Sequence, residues 1–460
     1  MEFISLKRKA FHYILGWLSQ NSRKPMVIRG ARQVGKTWLV REVARESQKV
    51  LVELNFEKQP KLVSLFTSND PKQIITNIES ALGISIDINN TILFLDEIQT
   101  APQLLAQLRW FAEEMPELTV IATGSLLDFV LAEHDFSMPV GRITYLHLEP
   151  LSFEEFLQAL GKDKLYDFIC EHSLLQEIPE FIHEQLLTLF KQYLIVGGLP
   201  AAVMSWVATQ SLMDVNRIHM DLLTTYRDDF SKYAQKITPL QLDEVLSAVP
   251  KMLGEKFIYA HVDPALTSLK AKQALQKLIK ARLCHPVYHT QANGVPLAAE
   301  IKQKIFKMIF LDVGLTSALL GLKLNLLQNI DEIILVNHGG IAEQVVGQLL
   351  RTIEPFYMEP SLYYWVREEK SSNAEIDYIL QHNNACIPIE VKSGNKGKLK
   401  SLHLFMAQKK NKIAVRIYSG LPNKTPIDIS VLGFNQAHYT LIDLPFYLTG
   451  QIHRYLDSDN

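Results

Sequence analysis

A glycine-framed loop near the amino terminus constrains the fold most. It follows a short apolar run at 26–28 and precedes a helical pattern, and it reads Gly30-Ala31-Arg32-Gln33-Val34-Gly35-Lys36-Thr37. Glycines at both ends let consecutive backbone N–H groups curve around an anion, and the following helix adds its positive dipole end. Strand, loop and helix in this order predict a phosphate-binding loop for ATP, in which Lys36 reaches the β- and γ-phosphates and Thr37 binds Mg2+.

A second motif supports the first. The apolar run at 91–95 ends in Asp96 and Glu97. A near-continuously apolar run is typical of a buried parallel strand, and an acid at its carboxyl end would emerge beside the phosphate-binding loop. Asp96 is therefore the expected Mg2+ partner. Glu97 is expected to orient or deprotonate the attacking water, which favours ATP hydrolysis over binding alone.

Strand and helix patterns alternate from residue 1 to about residue 150, which predicts a mostly parallel, doubly wound α/β sheet of the P-loop class. The expected strands are 50–56, 118–122 and 142–148, and the expected helices are 71–82, 102–115 and one that follows Ser125.

Two polar features lie at the ends of these strands. Thr123 or Ser125, at the tip of the strand beside the acidic motif, is expected to sense the γ-phosphate, with a plain helix cap as the alternative. Arg142 is expected to begin the next strand and to place its guanidinium on the developing phosphate charge, in its own subunit or a neighbour's. The alternative for Arg142 is a surface ion pair.

Several stretches together resemble a bacterial and archaeal family of AAA-type ATPases that carries an additional carboxy-terminal region of uncharacterised function. They are the loop at 30–37, Leu-Asp-Glu-Ile-Gln at 95–99, Ala-Thr-Gly-Ser at 122–125, Gly141-Arg142, and the stretches 149–156, 193–200 and 306–315. The resemblance covers nearly the whole chain. It implies an AAA-type ATPase core at 1–150, followed by further domains that include a winged helix.

Helical patterns dominate residues 151–235, which we assign to a lid over the nucleotide. Ser152 and Glu155 form a capping box that starts its first helix. The pair Gly197-Gly198 interrupts the pattern as a hinge or a helix stop.

Residues 236–300 are expected to form a winged helix. Helices at 239–252 and 266–281 precede two expected strands, 285–290 and 295–298, that flank the turn signal Asn293-Gly294. The second helix carries four lysines, which either contact DNA or form a solvated face. The lysines are Lys270, Lys272, Lys277 and Lys280.

Residues 301–460 hold a second chemical signal. The expected elements run helix, three strands, helix, strand, the order of restriction-endonuclease-like folds. Asp377 lies on one strand, and Glu390 and Lys392 share one face of the returning strand. Two carboxylates there can hold a metal ion against a phosphate, with Glu343 completing the site and Lys392 stabilising charge. The alternative is a solvated strand with alternating charge. A lysine run at 392, 396, 398 and 400 could hold a phosphate backbone.

Length and composition limit the number of domains and the classes of partner. A chain of 460 residues is expected to form about two to four domains, and 47% hydrophobic content supports ordinary cores. The net charge of -2 gives no global attraction to nucleic acid or membrane. Three scattered cysteines indicate neither a disulfide framework nor a zinc site, so a cytoplasmic protein without membrane spans is expected. Two functions stay open: an ATPase coupled to a nuclease-like domain that contacts DNA, and an ATP-driven switch or scaffold that binds protein partners and has an inactive nuclease-like domain. Assembly with further copies of the chain stays open as well.

Overall fold

The computed structural model describes residues 6–20, 23–129, 139–233, 237–322, 339–353, 355–367, 374–392, 399–430 and 436–457. Its helices are α1 Lys9–Leu18, α2 Lys36–Glu46, α3 Pro71–Leu82, α4 Leu104–Glu114, α5 Phe153–Ala159, α6 Asp163–Glu171, α7 Glu180–Val196, α8 Pro200–Thr209, α9 Leu212–Asp228, α10 Phe230–Tyr233, α11 Pro239–Ala248, α12 Ser268–Lys280, α13 Val313–Leu319, α14 Gly340–Arg351, α15 Lys400–Lys409 and α16 Ile452–Asp457. Its strands are β1 Met26–Arg29, β2 Val50–Asn55, β3 Thr91–Asp96, β4 Thr119–Gly124, β5 Thr144–His147, β6 Cys284–Thr290, β7 Ile301–Phe310, β8 Leu362–Val366, β9 Glu375–His382, β10 Ala385–Val391, β11 Ile413–Tyr418, β12 Asn423–Ile429 and β13 Ala437–Pro445. No helix among the described residues is long and apolar enough to cross a bilayer.

The first sheet has the predicted parallel arrangement. Its order is β2-β3-β4-β1-β5, and every neighbouring pair is parallel. Strand β3 is buried along its whole length, as its apolar sequence predicts. The helix predicted at 71–82 is present as α3, with Asp70 as its side-chain cap. Most of the helix expected after Ser125 lies outside the described residues.

A helical layer follows this sheet. The capping box of Ser152 and Glu155 starts α5, as predicted. Gly197 ends helix α7 with a φ of +74°, a left-handed value that favours glycine. A Cβ atom on Gly198 would lie 2.2 Å from the carbonyl oxygen of Leu151. The Leu151 N–H donates to the Gly198 carbonyl at 2.7 Å, so the glycine pair fastens the helical layer to the end of the first sheet.

The second sheet has eight strands in the order β12-β13-β11-β10-β9-β8-β6-β7. The predicted element order of helix, three strands, helix and strand is observed in α14, β8, β9, β10, α15 and β11. Strands β12 and β13 extend the sheet beyond what the sequence indicated. The nuclease-like and winged-helix assignments of these elements remain predictions.

The prediction of a strand at 295–298 is wrong. Leu297–Glu300 is a 3-10 helix, and the partner of β6 is the longer strand β7, Ile301–Phe310. The Asn293-Gly294 turn signal is therefore part of a longer connection, and Pro296, which has no N–H to donate, lies in it. Strands β6 and β7 belong to the same sheet as β8 to β13, so that sheet crosses residue 300, where the sequence suggested a boundary.

Candidate functional site

The predicted phosphate-binding loop joins β1 to α2 at the carboxyl edge of the first sheet. Gly30 has a φ of +159°, and a Cβ atom there would lie 2.3 Å from the carbonyl oxygen of Leu148. Gly35 has a φ of +95° and stands directly before the first turn of α2. Both framing positions thus need glycine, one for close backbone approach and one for a left-handed conformation.

Lys36 lies inside this loop. Its Nζ donates to the carbonyl oxygens of Gly30 at 3.0 Å and Ala31 at 2.8 Å, and the residue is 6% exposed. Burial lowers the pKa of Lys36 to about 8, although the carboxylates of Glu97 and Asp96 oppose the shift. A bound phosphate would supply the negative charge that a buried ammonium needs.

Asp96 lies at the carboxyl end of β3, among three polar side chains. Asn55 Nδ2 donates to its Oδ2 at 2.9 Å, and the Thr123 hydroxyl donates to its Oδ1. Thr37 Oγ1 lies 3.2 Å from Oδ1 and 3.3 Å from Oδ2. The hydroxyl and the carboxylate are hard oxygen donors at one point beside the loop, so these residues fit Mg2+.

Glu97 follows with a left-handed φ of +55°, which is uncommon for a residue with a Cβ atom. Gln99 Nε2 donates to its Oε2, and Ser125 Oγ lies 3.4 Å from the same oxygen. The two candidates for a γ-phosphate sensor are therefore divided between the two acids. Thr123 contacts Asp96, and Ser125 contacts Glu97.

Two arginines, one outside the loop and one within it, join the loop to other parts of the chain. Arg8 donates to the carbonyl oxygens of Val34 at 2.9 Å and Glu149 at 2.7 Å, and to the Glu155 carboxylate at 3.1 Å. Arg32, within the loop, pairs with Asp229 after helix α9.

The cleft beside the loop has a volume of about 580 Å³. Its lining includes loop residues and Glu97 on one side and Pro200 and Met204 of α8 on the other. Helix α8 of the helical layer thus lines the cleft opposite the loop, and the assignment of this layer as a lid stays a prediction.

The structure does not bring Arg142 to this cleft. Strand β5 begins at Thr144, which pairs with Met26 at the amino end of β1, whereas the loop follows the carboxyl end of β1. Arg142 therefore precedes the opposite edge of the sheet. Its Nε lies 2.6 Å from Glu113 Oε1, and half of its side chain is exposed. Within one subunit it lies in a surface ion pair, and only a role in a neighbouring subunit stays as a prediction.

The predicted carboxy-terminal residues do converge. The Val391 N–H donates to Asp377 Oδ2 at 2.7 Å, which joins β9 to β10, and Lys392 Nζ lies 2.6 Å from Glu390 Oε1. Burial and the nearby Asp377 raise the pKa of Glu390 to about 8, against the opposing effect of Lys392. Lys396 and Lys398 of the predicted lysine run lie outside the described residues.

Lys307, which the sequence analysis did not single out, lies among the same acids. Its Nζ is 2.9 Å from Glu343 Oε2 and 4.0 Å from Asp377 Oδ1, and it also pairs with Glu375. These acids raise the pKa of Lys307 well above its usual value in spite of burial. Glu343 is thus engaged by an ammonium, and no group of three metal-ligating side chains forms among the described residues. As placed, these residues do not fit a divalent cation.

The comparisons with known proteins agree with the geometry of the first sheet. A family model described as an AAA domain matches residues 22–157. Residues 22–157 are thus similar to AAA domains, and we call this part of the chain the AAA domain. Two models described as domains of unknown function match residues 187–325 (DUF8612) and 338–432 (DUF4143). No curated protein matches this chain in sequence.

Solved structures give distant similarities. A Walker-type ATPase of Pyrococcus abyssi has 16% identity and a TM-score of 0.43 over 68% of this chain and 96% of that one. The ORC2 protein of Aeropyrum pernix has 13% identity and a TM-score of 0.35 over 68% and 92%. The RuvB branch-migration motor of Thermotoga maritima has 14% identity and a TM-score of 0.29 over 61% and 89%.

The AAA domain is joined to the carboxy-terminal region by ion pairs near the loop. Arg29, the last residue of β1, contacts Asp128 Oδ1 at 3.2 Å. The buried Arg282, just before β6, contacts Asp128 Oδ2 at 2.9 Å and Glu359 at 3.0 Å. One carboxylate of the AAA domain thus connects the strand that leads into the loop with the second sheet.

Proposed function

We propose that this chain is a Mg2+-dependent ATPase whose nucleotide state is passed to its carboxy-terminal region. The observation that carries the proposal is the convergence of Lys36, Thr37, Asp96 and Glu97 beside one cleft at the carboxyl edge of the first sheet. The AAA-domain match over residues 22–157 supports the same activity.

Each residue has a distinct part in the proposed reaction. Lys36 leaves the loop carbonyls for the phosphates, and the loop N–H groups surround them. Thr37 and Asp96 would hold Mg2+, which offsets phosphate charge when bound. Glu97 orients the attacking water and accepts its proton, while Ser125 and Gln99 fix the Glu97 carboxylate.

Turnover assays on two variants test this proposal. Lys36→Ala should abolish ATP turnover because the buried ammonium is lost. Glu97→Gln should retain ATP but not hydrolyse it, because the amide cannot accept a proton. Lys72→Ala, an exposed lysine at the start of α3, is the matched control and should behave as wild type. Turnover that survives Lys36→Ala overturns the assignment.

For the carboxy-terminal region we propose a switch that presents a binding surface according to nucleotide state. The shared Asp128 and the buried pair of Glu149 and Arg351 support this proposal because they link the AAA domain to the second sheet. The ammonium of Lys307 among the acids favours the switch over a metal-dependent nuclease.

The nuclease remains the second candidate, because Asp377, Glu390 and Lys392 lie together. The test is cleavage of supercoiled plasmid and branched DNA with Mg2+ or Mn2+, with and without ATP. We expect none from the wild type. Cleavage that disappears in Asp377→Ala would establish the nuclease. The same DNA tests binding through the exposed Lys270 and Lys272 of α12.

A further inference from the structure

Lys307 reaches the carboxylate cluster from a distant strand. Strands β6 and β8 separate β7, which carries Lys307, from β9, which carries Glu375 and Asp377. The Lys307 side chain is only 4% exposed, and its Nζ lies 5.3 Å from the centre of the Tyr364 ring on β8. The side chain thus crosses one face of the sheet to place its charge among acids on β9 and α14.

The cluster is built for positive charge. Among the residues that the structure describes, it holds Glu343, Glu375, Asp377 and Glu390 against Lys307 and Lys392. Glu390 is 4% exposed, and its Oε2 is buried with no hydrogen-bond partner among the described residues. An unpartnered buried carboxylate oxygen is costly unless a cation is near, and the Lys392 ammonium contacts the other oxygen of Glu390, Oε1.

A divalent cation in this space would lie beside the Lys307 ammonium. Mg2+ or Mn2+ binds carboxylate oxygens at about 2 Å, so an ion on Glu343 Oε2 would be at most roughly 5 Å from the Lys307 ammonium. Like charges so close repel strongly in a buried site, where the effective dielectric constant is low. The Lys307 ammonium therefore opposes the binding of a divalent cation at Glu343.

We propose that Lys307 is the built-in cation of this cluster, and that the cluster binds one divalent metal ion only when the Lys307 ammonium is removed or withdrawn. The inference concerns the carboxy-terminal site discussed under the proposed function, and it is independent of ATP hydrolysis. Metal binding at the cluster would therefore show that the Lys307 ammonium no longer lies there.

Mn2+ binding to the full chain without nucleotide tests this inference, with free Mn2+ measured by electron paramagnetic resonance. Lys307→Met removes the charge and keeps the length of the side chain. We expect it to gain about one Mn2+ per chain, bound at least tenfold more tightly than any Asp377-dependent Mn2+ on the wild type. The gain should vanish in Lys307→Met with Asp377→Asn. Lys307→Arg, which keeps the charge, should resemble the wild type.

Thermal unfolding supplies the second measurement. Mn2+ should raise the melting temperature of Lys307→Met. Any effect of Mn2+ on the melting temperature of the wild type should be equally large in Asp377→Asn. Two results overturn the inference: an Asp377-dependent Mn2+ on the wild type that binds less than tenfold more weakly than on Lys307→Met, or a folded Lys307→Met that binds none. If Lys307→Met does not fold, Lys307→Gln, which also removes the charge, takes its place. The comparison of Mn2+ binding by the wild type and by Asp377→Asn is then made in the same way. ATP turnover of the same samples separates failure here from failure of the ATPase proposal.

Discussion

The guanidinium of Arg351, at the end of α14, makes a bidentate ion pair with Glu149, which lies two residues after β5. Nη2 is 2.8 Å from Oε1, and Nε is 3.2 Å from Oε2. Both side chains are less than one-tenth exposed. The backbone carbonyl of Glu149 also accepts from Arg8, so the same residue contacts the arginine that holds the phosphate-binding loop.

This pair predicts an acid-dependent contribution to stability. Arg351 holds the pKa of Glu149 at about 2, below the usual 4.5, in spite of burial. Because the folded pKa is depressed, the stabilisation is present above about pH 4.5 and is lost as the pH falls through about 2. Glu149→Gln should lower the free energy of unfolding by on the order of 3 kcal/mol at pH 7. Urea unfolding of both proteins from pH 7 to pH 2 measures this difference in the free energy of unfolding. A difference that does not shrink in acid contradicts the prediction.

Arg8 should affect nucleotide affinity through the loop. Arg8→Ala removes donors to Val34, Glu149 and Glu155, and such charged hydrogen bonds contribute about 1.5–3 kcal/mol each. We expect the dissociation constant of a fluorescent ATP analogue to rise roughly tenfold or more. The neighbouring Lys7→Ala is the control, since the Lys7 side chain lies in an exposed ion pair with Asp163. Equal affinities of the two variants would refute this role.

Thr123 and Ser125 should give different kinetic effects because they contact different acids. Thr123→Val removes the hydroxyl that donates to Asp96 and should raise the Mg2+ concentration needed for half-maximal turnover several-fold. Ser125→Ala acts on Glu97 and should lower kcat with little change in the Mg2+ dependence. Mg2+ titrations of the ATPase rate distinguish them, and Thr123→Ser should restore the wild-type response. Identical profiles for Thr123→Val and Ser125→Ala would contradict the division.

Arg142 should matter only between subunits. It lies at the edge of the sheet opposite the loop, so Arg142→Ala should leave ATP turnover per chain unchanged in dilute, monomeric protein. If chains assemble, the variant should fail to show any rise in turnover with protein concentration. Turnover measured over a range of concentrations, beside the mass from light scattering, checks this. A loss in the monomer would show that Arg142 acts in its own subunit.

Local patterns predicted much of the AAA domain. The loop, the buried strand before Asp96 and the capping box at Ser152 depend on neighbouring residues, so their sequence spacing carries the information. The bounds of α3 and the order of elements from α14 to β11 follow from hydrophobic periodicity in the same way.

Contacts between distant residues could not be predicted in this way. Arg8 meets Glu149, and Lys307 meets Glu375, across long stretches of chain, and a single arginine or lysine has no local signature. Asn55, at the carboxyl end of β2, donates to Asp96 and had a usable signal, because polar residues at the carboxyl ends of parallel strands face the site.

The continuity of the second sheet bears on how the chain can be dissected. A fragment cut to the family match at 338–432 would lack β6 and leave one edge of β8 open, which favours association between copies. It would also lack Lys307, so Glu343, Glu375 and Asp377 would face one another without their internal counterion. Metal binding measured on such a fragment would result from the loss of Lys307. In the intact chain the Lys307 ammonium lies at that place.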